Sequence, residues 1–343
     1  MEKQRKLVLL DRGFFQPLYR DFLKKLCEEN NIEFALIDKE DYDNNPQKYL
    51  DEYDYVISDG KYKEGLTTVL HGNSFLEKVN IIDFLLHKII FYIGHYKKIQ
   101  QSKKYYPSLQ KIIAVSNSIK EEIQRNYHIT DEKIIVAHAG FIPPQDKEIE
   151  ITQRKLLSKD ETFVVSMSGV GFIKKGGYVL LRAIRKFKKL YPDVKIKANI
   201  IYPKYNTNLA VKLYVLLFGL KKNVEFFAYQ KDVFEFYKNS HCFVCPSLLE
   251  AFGRVVTEAM YVKRPVIVGS NVGAVDIIKD GENGFIFEAD KNRELNLALK
   301  IKEVYDKYET LDSLVDKAHD DSLRLTWENF ARELFEGLYE KNN

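Results

Sequence analysis

Two carboxylates, a lysine pair in a glycine-rich loop and a histidine at a strand end are the residues whose types and spacing suit chemistry. In the run Cys245-Pro-Ser-Leu-Leu-Glu-Ala-Phe-Gly-Arg-Val-Val-Thr-Glu-Ala-Met260, Pro246 and Gly253 mark a loop and helical periodicity resumes at Arg254. Glu250 falls in the loop, and Glu258 lies about one turn inside the helix among Val255, Val256, Ala259 and Met260. A carboxylate in apolar company is costly unless paired, so Glu258 calls for an internal donor or a ligand hydroxyl. Backbone amides over Gly253–Val256 offer an anion site at the helix start. In a second segment, Ser168-Gly-Val-Gly-Phe-Ile-Lys-Lys-Gly-Gly177, glycines allow close backbone approach. Lys174 and Lys175 bring charge to where a phosphate would sit beside the next helix. The spacing is neither a P-loop nor a dinucleotide fingerprint. His71, in Leu70-His-Gly-Asn73, ends a strand-like run. Cys242-Phe-Val-Cys245 has CxxC spacing, but in a strand residues three apart face opposite sides, so no metal or redox pair is expected.

Short apolar runs alternating with helical stretches must position these residues, which is the pattern of βαβ units and a parallel sheet. The first half offers strands at Lys6–Leu10, Glu33–Ile37, Tyr55–Ser58, Thr67–His71, Ile112–Ser116 and Ile134–Ala137, with a helix over Pro17–Glu29. A polar, proline-marked stretch from Ile142-Pro143-Pro144 to Glu150 suits a linker. The alternation then restarts with Phe163–Met167, Lys195–Ile201, Val224–Phe227, Cys242–Cys245, Pro265–Val268 and Phe285–Phe287, and a helix over Tyr178–Leu190. The expected fold class is therefore α/β, in two successive halves. Open parallel sheets bind ligands at the carboxyl ends of their strands, where both chemically equipped loops fall.

Composition agrees with two ordinary cores. The chain has 343 residues, 45% hydrophobic and 30% charged, with 53 Lys and Arg against 49 Asp and Glu. This excludes disorder, and a net charge of +4 is too weak by itself to imply nucleic-acid binding. Three cysteines give no disulfide framework and suit a reducing compartment, so the cytoplasm is the expected location. Only four apolar residues follow the basic start before Asp11-Arg12, too few for a signal peptide, and no run is long enough to span a membrane. The 22 Tyr and 22 Phe are unusual.

The run Pro246-Ser-x-x-Glu250-x-Phe252-Gly253-x-x-x-x-Glu258-Ala-Met260, followed by Arg264-Pro-Val-Ile267, resembles the E-x7-E signature of retaining GT-B glycosyltransferases of family four. Gly169-Val-Gly-Phe-Ile-Lys-Lys-Gly176 is similar to that family's phosphate loop, and Gly219-Leu-Lys-Lys-Asn-Val224, Val272-Gly273, Asp280-Gly281 and Asn283-Gly284 fall at expected positions. The resemblance is strong over 163–290 and thin before 110. It implies two Rossmann-like domains facing a central cleft: 1–150, with the last helix 326–343 returning to it, on the acceptor side, and 151–325 holding the nucleotide sugar.

The resemblance also implies roles. Lys174 and Lys175 would neutralise the departing pyrophosphate without a metal or other cofactor. Glu258 would accept ribose hydroxyls and Glu250 hydroxyls of the transferred sugar. Phe252 and Gly253 would lie beside that sugar, with Val255 or Val256 amides on the phosphate. Gly171 belongs to the phosphate loop, and His71 would orient a sugar hydroxyl. Gly13 keeps one glycine of a pair that relatives place near the donor, with Phe14 in the second position. Plainer readings stand beside these: solvated acids, a surface lysine pair and a structural histidine.

The implied reaction moves a hexose-type sugar from a nucleotide diphosphate sugar, expected to be a UDP-sugar, to a hydroxyl of a glycan or lipid-linked acceptor in surface polysaccharide synthesis. Rival readings are an epimerase or hydrolase of the same fold and a non-catalytic sugar-nucleotide-binding subunit. Residues 87–106 interleave Lys, His and Tyr with apolar positions. They suit either peripheral contact with an anionic membrane at the inner face or a half-buried helix with a solvated lysine edge. No nucleic-acid partner is expected. Trp327, Phe330, Leu334 and Leu338 form one stripe of a C-terminal helix.

Overall fold

The computed structural model describes residues 4–11, 16–59, 67–70, 106–143, 161–248 and 250–339. Gly13, His71, residues 87–105 and the linker from 144 onward lie outside the described residues. The chain divides into two compact units, Met1–Ile142 with Leu325–Asn343, and Pro143–Arg324.

In the first unit the apolar runs become β1 (Lys6–Asp11), β2 (Glu33–Asp38), β3 (Tyr55–Asp59), β4 (Thr67–Leu70), β5 (Lys111–Ala114) and β6 (Ile134–Val136). They pair in parallel in the order β2-β1-β3-β4-β5-β6. Between them lie α1 (Gln16–Glu29), α2 (Lys39–Asn44), α3 (Pro46–Glu52) and α4 (Asn117–Tyr127). Leu7, Val8 and Leu9 are fully buried in succession, as a strand covered on both faces requires. The run expected to continue to Ser116 leaves the sheet after Ala114, because Ser116 instead caps α4, its hydroxyl accepting from the Ile119 N–H at 3.3 Å.

The second unit contains β7 (Phe163–Ser168), α5 (Gly177–Leu190), β8 (Ile196–Ile201), α6 (Leu209–Leu217), β9 (Val224–Phe227), α7 (Val233–Lys238) and β10 (Cys242–Cys245). It continues with α8 (Arg254–Tyr261), β11 (Val266–Gly269), β12 (Phe285–Phe287), α9 (Arg293–Lys307) and α10 (Asp312–Ser322). Its parallel sheet runs β12-β11-β10-β7-β8-β9, so the chain starts mid-sheet, winds outward through β8 and β9, then returns to β10 and winds the other way. Winding reverses between β7 and β10, the kind of crevice where open α/β sheets bind ligands. The sheet separates two cores. Cys242 packs with Val165, Ile184 and Leu297, and Cys245 with Val256, Met260 and Val268. The CxxC residues therefore face opposite layers, and burial raises both thiols above their ordinary value, Cys245 to about 11.

The last helix, α11 (Trp327–Tyr339), belongs to the first unit. All four residues of its expected stripe are buried. Phe330 packs on Tyr19 of α1 with ring centroids 4.9 Å apart, and the Tyr55 hydroxyl donates to the Leu338 carbonyl at 2.8 Å. His138 joins the helix to the loop after β6. Its N–H donates to the Glu333 carboxylate at 2.6 Å, and its Nδ1 lies 3.1 Å from the other Glu333 oxygen. Among the described residues no helix is long and apolar enough to cross a membrane.

Candidate functional site

The loops after β7 and β10 meet because their strands are neighbours at the point of reversal. The first loop, Gly169–Gly176, is a coil of its own hydrogen bonds: Lys175 N–H to Gly171 C=O at 3.0 Å, Gly176 N–H to Ile173 C=O at 3.0 Å and Gly177 N–H to Phe172 C=O at 2.7 Å. Phe172 anchors it, buried against Tyr202 with centroids 4.7 Å apart and edge-on to Tyr178 at 5.2 Å. Gly171 and Gly176 take φ of +83° and +76°. A side chain at Gly176 would collide with the Pro246 carbonyl, so this glycine lets the two loops touch.

The second loop is held from two sides. Leu248 N–H donates to the Lys174 carbonyl at 2.9 Å, and the Asn271 side-chain amide donates to the Ser247 and Leu248 carbonyls at 3.0 and 3.1 Å. Gly273 N–H donates to the Glu250 carbonyl at 3.1 Å, continuing the sheet edge by one bridge to Val272. This framework brings Lys175 Nζ, 75 residues away in sequence, onto the Glu250 carboxylate as a part-buried ion pair. The Ser247 hydroxyl lies 3.4 Å from the same carboxylate. Lys174 is exposed beside it.

Gly253, at φ +98°, turns the loop into α8. Phe252 and Val256 are buried and Val255 is half-buried. Of the two amides offered to a phosphate, that of Val256 already closes the first turn, donating to the Gly253 carbonyl at 2.8 Å. A glycine N-cap has no side chain to satisfy this turn, so the backbone does so itself.

Glu258 follows on the half-open side of α8 and accepts from the Tyr237 hydroxyl at 3.3 Å. Tyr237, fully buried on α7, is the internal donor that Glu258 required. Burial pushes the Glu258 carboxyl above its ordinary 4.5, against the opposing pull of Arg254, of the Tyr237 hydrogen bond and of Lys175. Burial and the nearby Glu258 together push the Tyr237 hydroxyl well up. One long bond leaves most of the acceptor capacity of a carboxylate unused. Tyr237 and Asn271 are the neighbours that sequence reasoning missed, while Ser247 and Phe172 stood in the quoted motifs without a role. The available signal was only that an apolar helix bearing a Glu needs a donor nearby.

The chain is 28% identical over 239 residues to an uncharacterized glycosyltransferase of Methanocaldococcus jannaschii, covering 66% of this chain and 59% of that one. It is 29% identical over 184 residues to the capsular polysaccharide biosynthesis glycosyltransferase CapM of Staphylococcus aureus, covering 52% and 48%. The chain thus spans about half to three fifths of the length of these relatives. Among solved structures, Anabaena HepE in complex with UDP superposes with a TM-score of 0.63 over 98% of this chain and 100% of that one, at 17% identity. The fold is thereby of the GT-B glycosyltransferase type. The family model for glycosyl transferases group 1 matches residues 148–321, just over half of the chain and the whole of the Lys175 and Glu250 region, so the protein belongs to the group 1 glycosyl transferases.

Proposed function

We propose that the protein is a retaining hexosyltransferase of the family-four, E-x7-E kind, using a UDP-sugar and a glycan or lipid-linked acceptor in cell-surface polysaccharide synthesis. The observation that carries this reading is the meeting of Lys175 and Glu250 at the reversal of the sheet, with Glu258 one turn inside α8. Two relatives lend it context: CapM takes its name from capsular polysaccharide biosynthesis, and HepE was solved with UDP and with UDP-glucose.

In this reading the bond between the anomeric carbon and the diphosphate oxygen breaks, and its electron pair leaves with the nucleotide. Lys175 and the exposed Lys174 stabilise the charge that grows on that oxygen, which is the part of catalysis that fixed cations perform best. Pairing with Glu250 keeps the Lys175 ammonium in place beforehand, so little reorganisation is needed as charge develops. Glu250 faces the sugar hydroxyls, Glu258 the ribose, and the Phe252–Val255 backbone the sugar and phosphate. The acceptor oxygen attacks from the face the nucleotide leaves, and its proton passes to the departing phosphate oxygen. Lysines do the work of a divalent ion here, so turnover should survive a chelator. The roles of His71 and Gly13 in orienting the sugar and approaching the phosphates belong to the same proposal, as does a cytoplasmic location.

The test is a panel of UDP-, GDP- and ADP-sugars, with nucleotide release and the linkage formed as readouts. Wild type should turn over one donor class with retained configuration, in the presence of EDTA. Lys175→Ala and Glu250→Gln should each lose about 10²–10³-fold in kcat. Absence of turnover with every donor, an epimerised sugar as the product, or two variants as active as wild type would overturn the proposal.

A further inference from the structure

Helix α6 is apolar on both sides. Val211 and Val215 are buried in the core of the second unit, whereas Leu209, Leu213, Leu216 and Leu217 are 66%, 45%, 67% and 76% exposed. These four stand at i, i+4, i+7 and i+8, so they form one continuous stripe directed away from the core. Soluble surfaces tolerate single exposed leucines, but a full helical face of them marks something that covers it.

The charge along this stretch of the sequence is one-sided. From residue 162 to 224 the sequence holds thirteen Lys and Arg and a single acid, Asp193, although the whole chain is only +4. Five of these thirteen border α6. Lys204 is exposed just before it, and Lys212 lies along it. Lys221 and Lys222 are exposed just after it, beyond the turn that Gly219 makes at φ +62°. The exposed Arg185 of α5 lies 4.2 Å from the centroid of Phe218, the residue that ends the helix.

We propose that this face docks onto a bilayer surface carrying anionic headgroups, with the leucines entering the acyl boundary and the lysines meeting the phosphates. A helix with an apolar stripe and a basic border, lying in the plane of the interface, has the chemistry of a peripheral membrane contact. Leucine anchors rimmed by lysine are the reverse of a protein-binding hot spot, which favours Trp, Tyr and Arg and is poor in Lys. Self-pairing through the same face would set one basic rim against another. The surface lies on the second unit, distinct in the chain from residues 87–106, and the proposal stands independently of which sugar is transferred.

Vesicle flotation tests it, using phosphatidylcholine alone and phosphatidylcholine mixed with phosphatidylglycerol. Wild type should float with the mixed vesicles only and come off as salt rises. The double substitution Leu213→Ser with Leu217→Ser, and separately Lys221→Glu with Lys222→Glu, should each lower partition about tenfold. Both pairs are on the surface, so melting temperature and turnover on a water-soluble acceptor should match wild type. The proposal fails if wild type does not float, if it floats equally with neutral vesicles, or if both double variants float as wild type does. It also fails if wild type is a dimer in solution that the leucine substitutions dissociate, which would make the face a contact between two copies.

Discussion

Glu258 links burial and pH in one side chain and, in the proposed function, joins them to ligand binding. Its carboxyl is raised above 4.5 by burial, so just above that pH the folded chain holds a proton that the unfolded chain has released. Stability therefore falls as pH rises through the interval from 4.5 to the raised value, and the deficit persists above it. Glu258→Gln removes that deficit. The variant should melt at or above the wild-type temperature at neutral pH, and the difference should vanish as pH falls below 4.5. In the proposed function its affinity for a sugar nucleotide should drop about tenfold, since the hydrogen bond falls from about 1.5–3 kcal/mol for a charged acceptor to about 0.5–1.5 kcal/mol for a neutral one. A variant that melts well below wild type at neutral pH would contradict the sign. The residue types at the candidate site were legible because Glu250, Glu258, Lys174 and Lys175 stand in recognisable spacings. The pairing of Lys175 with Glu250 was not, because it depends on β7 lying beside β10, which no local pattern encodes. Tyr237 was hidden in the same way, as one aromatic among many in a short apolar helix.

At the scale of elements, the two glycines of the first loop separate conformation from contact. Gly171 has φ +83° with open space around its Cα, whereas Gly176 has φ +76° and faces the Pro246 carbonyl. Gly171→Ala should cost about 1 kcal/mol of stability, the price of a left-handed residue alone. Gly176→Ala should cost about 3 kcal/mol or more and part the loops that hold Lys175 and Glu250 together. Chemical denaturation of the two variants, read with donor binding, checks both; equal losses would mean that the Pro246 contact is unimportant. The strands were the most legible elements, since continuous apolar runs bounded by polar stretches have few alternatives in a parallel sheet. Their ends were less so. Ser116 looks like the last residue of a strand until its hydroxyl is seen on the Ile119 amide. Helices α2 and α3 have no apolar stripe to announce them; they are short and polar, and among their described side chains only Tyr42 is buried.

At the scale of the molecule, the first unit is assembled from both ends of the sequence. Phe330 is fully buried and sits against Tyr19. Phe330→Ala should therefore destabilise the first unit by about 3–5 kcal/mol. Hydrogen exchange should speed up in Gln16–Glu29 and Ile134–Val136, while Phe163–Ser168 stays protected. Equal loss of protection in both units would show that they unfold as one. The same connectivity has a consequence for how the chain is made. A ribosome delivers every residue of Pro143–Arg324 before it delivers Trp327–Tyr339, so the second unit can finish folding while the first, though synthesised earlier, still lacks the helix that covers Tyr19 and Ile135. The half of the protein that is born first is completed last, and until then it is the half that a nascent-chain chaperone would hold.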